Sequence, residues 1–193
     1  MVELKVGVLA LQGAVSEHIE SFSTLGVEAI PVRSPLELNG LKALVIPGGE
    51  STTISRLMSD FAILGAVREL ASQGFPILGT CAGLILLAKK VAGFKLDTIA
   101  AMDIEVRRNA YGRQVDSFEA DLDIFVLGNS PFPGVFIRAP IIEKVGDGVE
   151  ILCRLDGVPV AVQQGKTLAC SFHPELAGDL RFHKYFLDLV TKE

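Results

Sequence analysis

Chemistry needs a nucleophile, a base and a place for developing charge, and three short strings supply candidates for each. Gly79-Thr80-Cys81-Ala82-Gly83 lies between a β-like apolar run and an apolar helical pattern. It repeats the G-x-S-x-G nucleophile elbow with sulfur in place of oxygen. A sharp strand-to-helix turn needs small neighbours, which the glycines provide, and it presents Cys81 at the C-terminal edge of a sheet. The helix N-terminus after the elbow favours a thiolate, making Cys81 the better nucleophile at neutral pH. A buried cysteine packed as a small hydrophobe is the plainer reading, and the flanking glycines weigh against it.

The base is expected in Ser171-Phe172-His173-Pro174-Glu175, at the end of another β-like run. Proline biases His173 toward an extended conformation. Residues two apart in extended chain share a face, so Glu175 is expected beside His173, where it would fix the imidazole tautomer. A solvent-facing His-Pro-Glu turn is the alternative. The same alternation sends Cys170, three residues earlier, to the opposite face; Cys170 and Cys153 are expected to be core cysteines. His18 and His183 fall in helical patterns and read as surface or packing residues. A third string, Ile46-Pro47-Gly48-Gly49-Glu50-Ser51-Thr52, leads from a strand into a helix. Its glycine N–H groups, with the N–H of Ala82, can form an oxyanion hole at Gly49 and Ala82. No Gly-Lys-Ser/Thr follows, which excludes a Walker P-loop; a plain turn with a Ser or Thr cap stays open.

The elements that must carry these strings read as one α/β unit spanning residues 1–193. The chain has 18 Lys+Arg against 23 Asp+Glu, a net charge of −5, with 49% apolar and 21% charged residues. This composition is globular and argues against a dedicated nucleic-acid module. Three cysteines without a C-x-x-C pair give no support to a disulfide framework or zinc ribbon and suit a reducing cytoplasm. Apolar runs are too short for a membrane span, and the N-terminus lacks the long apolar region of a signal peptide. Buried strands are expected at 6–11, 27–32, 43–46 and 76–79, alternating with helices at 15–25, 52–72 and 82–91. That alternation implies a mainly parallel sheet. Further β-like pieces at 103–106, 114–122, 134–138, 150–155, 159–163 and 167–170 imply antiparallel additions, with a hairpin turn at Asp156-Gly157. A helix at 179–191 places Phe182, Phe186, Leu189 and Val190 on one face.

With these strings assembled, the sequence resembles the glutaminase subunits of pyridoxal 5′-phosphate synthase, a family within the class I (triad) glutamine amidotransferases. Pro47-Gly48-Gly49, the Cys81 elbow and His173-Pro174-Glu175 are general amidotransferase features. More specific are Gly7-Val-Leu-Ala-Leu-Gln-Gly13, Gly48-Gly-Glu-Ser-Thr-Thr53, Arg108-Asn-Ala-Tyr-Gly-Arg-Gln-Val-Asp-Ser-Phe-Glu119 and Phe136-Ile-Arg-Ala-Pro140. The pattern departs at residues 99–102, Ile-Ala-Ala-Met, where a Gly-Leu-Leu-like stretch is expected.

The resemblance implies a three-layer class I glutamine amidotransferase-like (flavodoxin-like) fold and hydrolysis of L-glutamine to glutamate and ammonia. Cys81 would be the nucleophile, His173 the acid/base and Glu175 the orienting carboxylate. Gly48, Gly49, Glu50, Arg108, Ile137 and Arg138 would bind glutamine. An Arg suits the substrate carboxylate and Glu50 its ammonium. Gln12, in the family's first loop, would lie near both the oxyanion hole and the partner interface. Ammonia would pass to a separate barrel-shaped synthase subunit within a hetero-oligomeric complex in the cytoplasm. No metal and no cofactor are expected in this chain, and neither nucleic acid nor membrane as a partner. Two other readings stay open: another cysteine hydrolase on a similar sheet, such as a peptidase or deglycase, and a catalytically silent subunit. The intact Cys81, His173 and Glu175 set weighs against the second.

Overall fold

The computed structural model describes residues 4–108 and 117–192. Its central sheet is built from β1 (Lys5–Leu9), β2 (Glu28–Val32), β3 (Ala43–Ile46), β4 (Ile77–Thr80), β10 (Glu150–Leu155), β11 (Val158–Gln164) and β12 (Thr167–Cys170). The strand order is β10-β11-β12-β4-β3-β1-β2. The pairs β2/β1, β1/β3, β3/β4 and β4/β12 are parallel; β12/β11 and β11/β10 are antiparallel.

Side-chain alternation along the central strands separates two apolar cores and thereby makes three layers. Leu44, Ile46, Ile77 and Ala169 point to one core. It is closed by α2 (Ser51–Asp60), α3 (Ile63–Ser72) and α4 (Ala82–Leu87). Ala43, Val45, Leu78, Leu168 and Cys170 point to the other, closed by α1 (Val15–Thr24) and α5 (Arg181–Thr191) with Phe22, Phe182 and Phe186. Two small sheets stand apart from the central one. In the first, β6 (Met102–Arg107) pairs in parallel with β5 (Ala88–Val91) and antiparallel with β9 (Ile141–Val145). In the second, β7 (Ser117–Leu122) is antiparallel to β8 (Phe132–Ile137). No helix of the described residues is long and apolar enough to cross a membrane.

Several expectations need correction. The helix expected at 52–72 is two helices, α2 and α3, separated at Phe61 and Ala62. Ala62 takes a left-handed conformation, φ 58°, at a cost of about 1 kcal/mol. The break lets Ile54 and Met58 from one helix and Ile63, Leu64 and Val67 from the next reach the same core. The helix expected at 82–91 stops at Leu87. All six α4 residues are buried, so no polar face sets a helical period that would carry past Leu87. The next segment instead joins β6 as a strand, with Lys89 and Lys90 paired to Asp103 and Glu105. Strand β9 was not anticipated; its partner β6 lies more than 30 residues away, outside any local signal. Residues 114–116 of the strand expected at 114–122 lie outside the described residues. The Asp156-Gly157 hairpin matches its expectation, with both central residues at positive φ, 50° and 81°, between the paired Leu155 and Val158.

Candidate active site

Cys81 occupies the turn from β4 into α4 with φ 49° and ψ −99°, a conformation that L-residues rarely adopt. Packing over-determines it. A Cβ on Gly79 would stand 2.7 Å from the carbonyl carbon of Gly83, and one on Gly83 would collide with the carbonyl oxygen of Ile46. Small residues here are therefore a condition for α4 to lie against β3 and β4. The Cys81 N–H donates to Cys170 O at 2.9 Å, tying the elbow to β12, and Sγ lies 3.6 Å from Ile137 O. Neighbouring Thr80 accepts the Gly48 N–H at 3.0 Å and so fixes the second loop against the first.

His173 follows β12, which lies in parallel beside β4. Its N–H donates to Val135 O at 2.8 Å, and its Nδ1 lies 2.7 Å from Glu175 Oε1. The contact does not arise from extended chain: a 3-10 turn begins at Pro174 and carries Glu175 back under the ring. Gly48 packs against the imidazole, where a Cβ would collide with His173 Cε1. The Glu175 side chain is fully buried. Burial would raise its pKa, but the His18 and His173 fields and the His173 hydrogen bond outweigh burial and hold it below the usual carboxylate value. For His173 burial alone would lower the pKa. The hydrogen bonds to Cys81 and Glu175, with their charges, push it up to about 10 instead. The imidazole therefore carries a proton at neutral pH.

His18 and His183 are not surface residues; both are fully buried. His18 Nε2 lies 3.4 Å from Glu175 Oε2 and 3.2 Å from Thr80 Oγ1, and its Nδ1 lies 3.0 Å from His183 Nε2. Sequence reasoning missed this connection. A signal was present, because His18 lies four residues before Phe22 on the buried face of α1 and His183 lies beside Phe182 on that of α5.

A cleft of about 350 Å³ opens over the elbow. Cys81, Ala82, Ile137, Arg138 and His173 line it together with Gln12, Gly49, Glu50 and Arg108. Among the residues singled out in the sequence, Gly48 and Glu175 lie behind His173 and do not line it. Glu50 caps α2: its carboxylate accepts from Thr52 N and Thr53 N at 3.1 and 2.7 Å, and from both threonine hydroxyls. Partial burial opposes its ionisation, yet these threonine hydrogen bonds hold its pKa at about 2. Arg108 Nη2 meets Glu50 Oε1 at 3.0 Å while its guanidinium lies over the Phe94 ring, which was not anticipated. Gln12 Oε1 accepts the Glu50 N–H at 2.7 Å and sits over Gly49. The 109–116 part of the motif that begins at Arg108 lies outside the described residues. Among the described residues, no group of three or more His, Cys, Asp or Glu is placed to hold a metal ion.

The three thiols stand in different environments. Burial pushes Cys153 up to about 11, with Asp123 adding to it, and pushes Cys170 well above the usual thiol range, with Glu175 and Cys81 adding. At pH 7 a thiol of pKa 11 is thiolate in roughly one part in 10⁴. Iodoacetamide at neutral pH is therefore expected to modify Cys81 first and to block the site. Peptide mapping by mass spectrometry checks this; prior modification of Cys153 or Cys170 with Cys81 free would refute it.

The three-layer sheet with its elbow cysteine has the fold of the class I glutamine amidotransferases. A crystal structure described as a glutamine amidotransferase superposes with a TM-score of 0.92, at 51% identity over 97% of this chain and 99% of that one. The chain belongs to the SNO glutamine amidotransferase family, whose model matches residues 8–192. Among curated relatives, a Pelotomaculum thermopropionicum protein named pyridoxal 5′-phosphate synthase subunit PdxT is 55% identical, covering 98% of this chain and 96% of the relative. A Dehalococcoides mccartyi protein of the same name is 54% identical, covering 97% of each.

Proposed function

We propose that this chain, as one glutaminase domain over residues 1–193, hydrolyses L-glutamine to L-glutamate and ammonia. The ammonia passes to a synthase subunit that makes pyridoxal 5′-phosphate. The observation that carries this reading is the meeting of Cys81 with the His173–Glu175 pair at one cleft, in a chain that aligns along nearly its whole length with proteins named as subunits of that synthase. The Cys81–His173 pair starts with its proton on the imidazole. Sulfur attacks Cδ of the glutamine side chain, and the carbonyl electrons move to oxygen. The N–H groups of Gly49 and Ala82 stabilise that oxyanion. As it collapses, the C–N bond breaks and His173 gives its proton to the departing ammonia. Water, deprotonated by His173, then attacks the thioester and releases glutamate. Glu175 holds the ring throughout.

Substrate binding would use the charges already paired in the cleft. The glutamine ammonium takes the place of Arg108 at Glu50, and its carboxylate engages arginine, with Arg108 and Arg138 both at hand. Ile137 shapes the wall beside the reacting amide, and Gly48, packed against the His173 ring, supports the site from outside the cleft. The three unpaired cysteines suit a reducing cytoplasm.

An electrophilic glutamine analogue tests this directly. It should label Cys81 once per chain, with protection by excess glutamine, and turnover of glutamine should exceed that of peptide and aldehyde substrates. A preference for peptides or aldehydes favours the hydrolase alternative. Docking of the synthase subunit is expected to raise glutaminase turnover about 10-fold or more, because an oxyanion hole built on the Gly48-Gly49 loop can be realigned through Gln12, which already grips the Glu50 N–H. Equal steady-state turnover with and without the partner refutes it.

A further inference from the structure

The chain has three histidines, and all three fall on one buried line. His173 takes Glu175 Oε1 at 2.7 Å. The other carboxylate oxygen, Oε2, is buried without a hydrogen bond of normal geometry, and His18 Nε2 faces it at 3.4 Å. Behind His18, at 3.0 Å from its Nδ1, stands His183 Nε2; His183 Nδ1 is buried with no partner.

Proton placement along this line has one consistent solution. An ionised carboxylate only accepts, so the His18 nitrogen facing it must be N–H. Burial lowers the pKa of both His18 and His183, the latter to about 3, so each ring carries a single proton. With that proton on Nε2, His18 Nδ1 is an acceptor and His183 must donate from Nε2. Its Nδ1 is then a bare lone pair, in accord with the lack of any partner there. Thr80 Oγ1, at 3.2 Å from His18 Nε2, fits the same arrangement, since a hydroxyl accepting the Gly48 N–H has a second lone pair for the same His18 proton. The opposite tautomer sets an imidazole lone pair against the carboxylate.

We propose that His18, set in turn by His183, is a positioning residue of the glutaminase: its Nε2–H anchors Glu175 Oε2 and so keeps Oε1 on His173. The inference rests on the reading of Cys81, His173 and Glu175 as the catalytic set. Losing the anchor leaves a buried carboxylate with one donor fewer, free to rotate and easier to protonate. The titratable groups that face this cluster are Glu17 on α1, His183 on α5, Cys170 on β12, Cys81 at the elbow and His173 itself.

The full chain labelled with ¹⁵N-histidine gives the first test without perturbation. His18 and His183 are expected as neutral Nε2–H tautomers near pH 7; a proton on His18 Nδ1 overturns the proposal. The second test compares His18→Leu, which removes the donor, with His18→Gln, which retains an N–H at a similar reach, both assayed with the synthase partner present. His18→Leu should lower kcat about 10-fold or more at a glutamine KM within about twofold, and should move the acid limb of the pH profile up by about one unit. His18→Gln should restore most of both. Unchanged kcat and pH profile in His18→Leu, or equal losses in the two variants, overturns the proposal. Should His18→Leu fail to fold, the tautomers and a glutamine variant with wild-type pH profile still decide it. Cys81→Ala, run in parallel, separates the two levels: retained turnover there defeats the catalytic reading itself, whereas an inactive Cys81→Ala beside an unaffected His18→Leu defeats only this inference.

Discussion

Cys81→Ala is expected to abolish glutamine-dependent synthesis of pyridoxal 5′-phosphate by the assembled complex, a loss of at least about 10³-fold, while synthesis from added ammonium salts stays within about twofold of wild type. On the proposed mechanism the sulfur is the atom that forms the thioester, and Cys81 is the one thiol among the described residues that line the cleft. Its removal changes little else. Alanine carries the same Cβ as cysteine, so the φ of 49° is no more strained, and the Cys81 N–H bond to Cys170 O is a backbone bond that survives. The 3.6 Å Sγ contact to Ile137 O and the hydrogen bond between Cys81 and His173 are lost, at a stability cost of about 1 kcal/mol. Co-sedimentation with the partner and a thermal melt establish that fold and docking remain. Retained glutamine-dependent synthesis would remove Cys81 from the mechanism. Failure of ammonium to support the intact mutant complex, where the synthase alone can use it, would mean that the elbow acts on the partner's chemistry as well.

Glu175→Gln should lower kcat by roughly 10²- to 10⁴-fold, the range expected when the orienting carboxylate of a triad becomes an amide, with the glutamine KM little changed. The reason is donor counting. His173 Nδ1 lies at one oxygen of Glu175 and His18 Nε2 at the other. An amide offers a single acceptor oxygen, so one imidazole N–H must face an NH₂ group in a buried site. If His173 yields, it loses the Nδ1–H and with it the imidazolium that pairs with Cys81; if His18 yields, the line behind it reverses.

Stability should follow in a defined pH window. His173 is raised, against burial, to about 10 by its bonds to Cys81 and Glu175, so its contribution is complete below pH 6.5 and is lost as pH climbs through about 10. Glu175 is lowered, so its contribution is present above 4.5 and lost as pH falls through its folded value. The melting-temperature deficit of Glu175→Gln is therefore expected to be largest between about pH 4.5 and 6.5 and to narrow toward pH 10. Kinetics and melts across that range check both parts. A rise in KM as large as the fall in kcat would instead make Glu175 a substrate-binding group.

What the amino-acid sequence determined by itself is the set of features governed by sterics within a few residues. The glycines at 79 and 83 announce the elbow because a Cβ at either would strike neighbouring backbone. Asp156-Gly157 announces the hairpin because both positions need positive φ. Short apolar runs at β1, β3, β4 and β12 announce a sheet covered on both faces. The His173–Glu175 pair was legible too, although the turn at Pro174, not extended chain, makes the contact. Tertiary structure decided the rest, because its physical causes lie far apart in the chain. Pairing with β6 turned residues 88–91 from helix to strand, and two separate demands for core contact split the helix at Ala62. Glu50 and Arg108, expected to bind glutamine, are paired with each other in the structure. His18 and His183, 165 residues apart, meet behind Glu175 only when α1 and α5 pack on the same face of the sheet. A polar residue on the buried face of a helix tells that it must find a partner; which partner it finds depends on the packing of the whole chain.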